Sequence, residues 1–189
     1  MLVAISGSQG SGKSTVLAAL KELGNIVIER KSARSILSDW NVSLSEVNNN
    51  LDLQKKFQEE IIKRKISDEM EMVNNNPDKI VFTERTLADA FVYTIFACGK
   101  DNEYSEWVNA YYEQCLVGQK NYDYVFYLTG GLFNIQYDGV RGINYHYSKM
   151  VDLCMLEYTK NMGNANNVTI INTANHKERV ELIIQKVGN

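Results

Sequence analysis

The sequence predicts an α/β fold, a five-stranded parallel sheet flanked by helices on both faces. Two observations carry this expectation. Apolar runs at residues 2–5, 26–28, 80–82, 124–128 and 168–171 alternate with longer segments whose apolar residues recur at helical spacing. The connections between successive runs are too long for hairpins, so each strand joins the sheet through a right-handed crossover. At 189 residues the chain has the size of one domain, and no repeat or linker divides it. Residues 1–189 are therefore read as one unit.

The first strand runs straight into Gly7-x-x-x-x-Gly12-Lys13-Ser14, and residues 16–23 follow with helical spacing. Strand, glycine-rich loop and helix in that order are the context of a phosphate-binding P-loop. The glycines let successive backbone N–H groups point inward, and the helix adds the positive end of its dipole, which makes a concave anion site. Gly7, Ser8, Gln9, Gly10, Ser11, Gly12, Lys13, Ser14 and Thr15 are thus the expected ATP-binding residues. Lys13 would reach the outer phosphates, and the Ser14 hydroxyl would ligate the Mg2+ that bridges them. The expected architecture is the three-layer P-loop NTPase fold.

Gly24 suits the C-cap of the first helix, and the second strand ends in Glu29-Arg30-Lys31, at the sheet edge where open α/β folds bind ligands. Residues 32–37 can be helical. Residues 40–50 are polar and Asn-rich with a cap at Ser43, and read as a loop with one short helix, a candidate substrate flap. Residues 51–73 form a long amphipathic helix with Phe57, Ile61, Ile62, Ile66, Met70 and Val73 on one face. Glu59 with Lys63 and Glu60 with Arg64 are i,i+4 pairs on the other. Lys55, Lys56, Lys63, Arg64 and Lys65 are interleaved with acids, so they read as a solvated face in preference to a nucleic-acid patch. Pro77 follows the break at residues 74–76.

The third strand leads into Thr83-Glu84-Arg85, and Thr86 is placed to cap a helix over residues 87–98. A helix over residues 103–116 carries Trp107, Val108, Tyr111, Tyr112 and Cys115, whose spacing suits a core. After the fourth strand, Gly130-Gly131 opens a segment without period that contains Asp138-Gly-Val-Arg141. A helix over residues 147–162 places Met150, Leu153, Cys154, Leu156 and Tyr158 as its apolar residues, and residues 177–187 close the chain as a helix.

Composition narrows the function classes. Apolar residues are 44% and charged residues 23%, as in ordinary globular proteins, and no apolar run reaches the length of a membrane span. The N-terminus does not have the pattern of a signal peptide. Cys98, Cys115 and Cys154 lie far apart in helical sequence, so neither a disulfide framework nor a zinc site is expected. These features point to a reduced, cytoplasmic setting. The net charge of −3 argues against a long polyanion as substrate. His146 and His176 have no acid or cysteine at ligand spacing and read as solvated or capping groups.

Phosphoryl transfer needs cations that follow the moving charge and a carboxylate that orients the acceptor hydroxyl. Glu84-Arg85, at the end of the third strand, would face the P-loop across the carboxyl edge of the sheet. The stretch Val81-Phe-Thr-Glu-Arg-Thr86 resembles the Asp/Glu-Arg signature of thymidylate kinases and deoxynucleoside kinases. The wider pattern is similar to the small P-loop ATPases typified by the kinase domain of the bifunctional nicotinamide-nucleotide protein, which phosphorylates nicotinamide riboside. That similarity covers nearly the whole chain: the P-loop, Ala33-Arg34, Phe57-Gln-Glu-Glu-Ile-Ile62, Glu84-Arg85 with Ala88-Asp89-Ala90, and Asp138-Gly-Val-Arg141. It implies a lid at about residues 130–146, from which Arg141 neutralises the phosphates. In one respect the chain departs from the family, which carries a Glu three residues before the position of Arg34. Here that position is Lys31, and the acid stands at Glu29. The general base is therefore either Glu29 or Glu84, and Glu84 is also a candidate to hold Mg2+ through water.

The leading expectation is an ATP- and Mg2+-dependent kinase for a nucleoside, a nucleoside monophosphate or a similar small metabolite, with Lys13, Arg85 and Arg141 on the transferring group. The alternatives are a nucleotide-dependent regulatory switch, although a guanine motif of the Asn-Lys-x-Asp type is absent, and a kinase acting on a modified base or end in DNA. A homodimer formed through helices is compatible with the fold.

Overall fold

A computed structural model describes residues 1–28, 33–98, 105–133, 144–163 and 167–188. At its centre is β1 (Leu2–Ser6), all five residues of which are buried. It lies between β3 (Val81–Glu84) and β4 (Tyr124–Leu128); β2 (Ile26–Val27) and β5 (Val168–Ile171) complete the sheet in the order β2-β3-β1-β4-β5. Every pairing is parallel, as expected from the crossover connections.

Side chains alternate across the sheet, so the central strand divides the core in two. Val3 and Ile5 pack with Phe82, Phe126 and Leu128 against α1 (Lys13–Glu22) and α8 (His176–Val187). Leu2 and Ala4 face the other side with Val81, Val125 and Tyr122, where Met72 and Val73 of α4 (Leu51–Asn74) close the layer. On that side α5 (Leu87–Cys98), α6 (Ser105–Gln119) and α7 (Tyr145–Met162) add a second cluster built from Phe91, Val108, Tyr111, Cys115 and Met162. Tyr111 and Cys115 are core, as their spacing predicts.

The local signals hold at several ends. α1 finishes in a Schellman motif: the Gly24 N–H donates to Lys21 O, the Asn25 N–H to Leu20 O, and Gly24 takes φ 86°. Residues 40–50 are more ordered than a loop. They hold the end of α2 (Ala33–Trp40) and α3 (Leu44–Asn48), with a capping box between Ser43 and Glu46. Ile36, Val47 and Phe57 form a small core there, packed against Trp40, Leu53 and Ile61.

Three expectations about helix faces are corrected. On α4, Met70 is 55% exposed, whereas Gln54, Gln58 and Glu69 are buried. Lys65 is also interior, with its side chain 8% exposed, and does not belong to a solvated face. On α7, Met150 and Leu153 are exposed, and the buried stripe is Val151, Met155, Thr159 and Met162. α7 begins at Tyr145, two residues before the expected start, because the Asn144 side chain caps it by accepting from the Tyr147 N–H. Among the described residues, no helix is long and apolar enough to cross a membrane.

Candidate active site

The register of β1 against β3 sets Ile5 beside Glu84. The two strands therefore leave the sheet together, and the loop after β1 emerges next to the Glu84-Arg85 turn. The loop is pressed into its shape from behind. Gly7 has φ 136°, and a Cβ there would lie 2.4 Å from the backbone oxygen of Leu128. Gly12, at the N-cap of α1, has φ 88° and gives no side-chain cap, and the positive end of the helix dipole there favours an anion.

Lys13 is 5% exposed. Its Nζ donates to Gly7 O at 2.9 Å, to Ser8 O at 2.8 Å and to Ser11 Oγ at 3.4 Å. The ammonium thus lies across the loop, held by the loop's own oxygens.

Arg85 has a left-handed backbone, φ 68°, which is uncommon for a residue other than glycine and marks local strain. Its N–H donates to Ile5 O at 2.8 Å, and its guanidinium lies 4.9 Å from the Tyr93 ring centroid. Its Nη1 is buried with no hydrogen-bond partner among the described residues. Burial works against its charge, but Tyr93, Asp89 and Glu84 outweigh that and hold the pKa above the ordinary arginine value. Behind it, Thr86 and Asp89 form a reciprocal cap at the start of α5. Asp89 is fully buried and also accepts from Ser6 Oγ at 2.6 Å, which fastens the end of β1 to α5.

These groups open onto one cavity of about 1100 Å³. Of the residues expected from the sequence, Gln9, Gly10, Gly12, Lys13, Ser14, Thr15, Glu84 and Arg85 line it. Gly7, Ser8 and Ser11 are buried beneath and shape the loop. Glu29, Arg141 and most of the 130–146 segment lie outside the described residues. The cavity is also lined by Gln54, Phe57, Gln58, Tyr93 and Phe96, and Gln54 Oε1 is buried without a partner among the described residues. Ser14 and Glu84 face the same space with oxygen atoms, the donor type that hard cations prefer. No group of three or more His, Cys, Asp or Glu that could hold a metal occurs among the described residues.

Two elements escaped the sequence reading. Arg179 on α8 is 0% exposed; it donates from Nε to Thr173 O at 2.6 Å and from Nη1 to Ser11 O, and it stands 5.0 Å from the Phe133 ring centroid. Burial pushes its pKa below the ordinary arginine value. His176 is not merely solvated, because its ring stacks on Phe133 at 5.0 Å with an interplanar angle of 5° and lines the cavity. The cap of α8 is Asn175. Nothing in the local sequence marks Arg179; only the return of the last helix to the P-loop does.

The fold is shared with solved structures. A NadR protein in complex with NR superposes with a TM-score of 0.77 at 16% identity, over all of this chain and 52% of that one. This chain therefore spans about half the length of that protein. A deoxyadenosine kinase from M. mycoides with bound dATP gives a TM-score of 0.68 at 17% identity, with both chains fully covered. A thymidylate kinase from Ehrlichia chaffeensis gives 0.55 at 17%, over all of this chain and 98% of that one. No curated protein matches the sequence. The sequence profile of the AAA domain family AAA_28 matches residues 2–179, and the chain belongs to that family.

Proposed function

We propose that the protein is an ATP-dependent phosphotransferase whose acceptor is a nucleoside, a nucleoside monophosphate or a similar small metabolite. The observation that carries this reading is the one cavity lined by the P-loop, the Glu84-Arg85 turn and a set of aromatic and amide side chains. A hydrolase or switch needs only the first two. A lining that combines Phe57 and Phe96 with Gln54 and Gln58 suits a second ligand with a planar ring and hydrogen-bonding edges. The structurally similar proteins solved with NR and dATP, and the thymidylate kinase, agree with that class of ligand.

In this reading the loop N–H groups and the α1 N-terminus hold the donor phosphates. The Lys13 ammonium exchanges loop carbonyls for phosphate oxygens, and Arg85 meets the charge that develops on the transferring group. The Phe133–His176 pair forms a flat wall for the donor base. Ser14 and Glu84 would hold Mg2+, which when bound supplies positive charge to the donor phosphates. Glu84 or Glu29 orients the acceptor hydroxyl, and Arg141 adds a cation from the 130–146 segment, as the family resemblance implies.

A coupled ADP-release screen over nucleosides, nucleoside monophosphates, nicotinamide riboside and short DNA tests this, with hydrolysis alone as the control. Acceptor-dependent ADP release with a small molecule is the expected result. Release that ignores every acceptor would favour a switch, and release with DNA alone would move the acceptor onto nucleic acid.

A further inference from the structure

We propose that Lys65 is a positioning residue that fixes the orientation of Arg85. Lys65 stands in a charged run of α4, yet its side chain is 8% exposed while that of Lys63 is 79% exposed. A buried ammonium is costly unless it is paired. Glu69 supplies the pair at 2.5 Å, its own side chain 6% exposed and accepting from the Tyr122 hydroxyl at 3.1 Å. Such a pair adds little stability over an apolar replacement, so its other bonds define what it does. The Lys65 Nζ also donates to Thr83 Oγ1 and to the backbone oxygen of Glu84, both at 3.1 Å.

Those acceptors are the last two residues of β3, directly before the left-handed residue. The Glu84–Arg85 peptide is thereby gripped on both sides, its C=O by Lys65 and its N–H by Ile5 O. Turning that one peptide over would reverse both groups and carry the φ of Arg85 from 68° to the ordinary negative region. The strained conformation aims the guanidinium along Tyr93 at the cavity, so the bond from Lys65 keeps the relaxed alternative from forming. The kinetic consequence rests on the phosphotransferase reading above; the conformational one does not.

The test uses the full chain with Lys65→Met, Lys65→Arg, Arg85→Ala and the Lys65→Met/Arg85→Ala double variant. Should Lys65→Met alone fail to fold, Lys65→Met/Glu69→Gln removes the orphaned carboxylate and replaces it. In hydrogen exchange without substrate, the Arg85 amide is expected to exchange at least about tenfold faster in Lys65→Met, with the β1 and β4 amides unchanged. In turnover, Lys65→Met should lower kcat about tenfold with the ATP KM held within about threefold, Lys65→Arg should recover most of it, and the loss should vanish on the Arg85→Ala background. An unchanged Arg85 amide, faster exchange across the whole sheet, or kcat losses that multiply in the double variant would overturn the proposal. If the wild-type protein transfers phosphate to no acceptor, the functional reading fails and the exchange experiment alone decides the role of Lys65.

Discussion

The guanidinium of Arg179 donates from Nη1 to the backbone oxygen of Ser11, 168 residues earlier in the chain. Its Nε holds Thr173 O, just before the cap of α8, so one buried side chain ties the last strand-to-helix turn to the glycine-rich loop. The shape of the loop therefore depends on the far end of the chain.

Replacing Arg179 by Met removes both donors and leaves two carbonyls without them, each costing about 1–3 kcal/mol where water cannot enter. The expected outcome is a lower melting temperature together with ATP binding weakened about tenfold, read by calorimetry. A variant that melts earlier but binds ATP as before would reduce Arg179 to a packing residue.

Gly12 and Gly24 separate backbone strain from crowding. Their φ values are 88° and 86°, but a Cβ at Gly12 would stand 2.8 Å from Arg179 Nη1, and one at Gly24 meets nothing within 4 Å. Gly24→Ala should cost about 1 kcal/mol of stability and leave nucleotide binding intact. Gly12→Ala should weaken ATP binding more than tenfold, by roughly 1.4 kcal/mol or more. Equal binding in the two variants would show that the Arg179 contact does not matter.

Lys13→Ala should reduce phosphoryl transfer by about 100-fold or more, since the ammonium now held by Gly7 O and Ser8 O is the cation placed to turn to the donor phosphates. Circular dichroism should stay that of the wild type. Arg85→Ala should cost about tenfold or more in rate, and a rate unchanged by that substitution would remove Arg85 from the site.

Alkaline pH should destabilise the fold. Burial pushes the Cys115 thiol up to about 12, and raises the phenols of Tyr111, Tyr122 and Tyr127 above their usual range. These groups stay neutral when folded but ionise near pH 9 to 10 when unfolded, so the stability they contribute is complete below about pH 9 and is lost as pH rises. The melting temperature should hold level from pH 7 to 8 and fall steadily above 9. Cys115→Ala should flatten the first part of that fall, and an identical slope would exclude the thiol as a cause.

Much of the site could be read along the chain because its parts are contiguous. Residues 7–14 form the loop by themselves, and Glu84-Arg85 faces it because both follow neighbouring parallel strands. Thr86 and Ser43 begin their helices with caps that involve residues three positions on. The inner face of α7 could not be read in this way. Apolar residues surround that helix, so Met150 and Leu153 fit helical spacing as well as Val151 and Met155 do, and packing against α5 selects the second stripe.

By itself, then, the sequence determined the order of strands and helices, the glycine-rich loop and the placing of that loop beside Glu84-Arg85. Only the tertiary structure decided that Lys65 and Arg179 are buried cations holding the two halves of the site. A period along one helix records which residues share a face, whereas the burial of a charge depends on acceptors such as Glu84 O and Ser11 O that reach it from other elements.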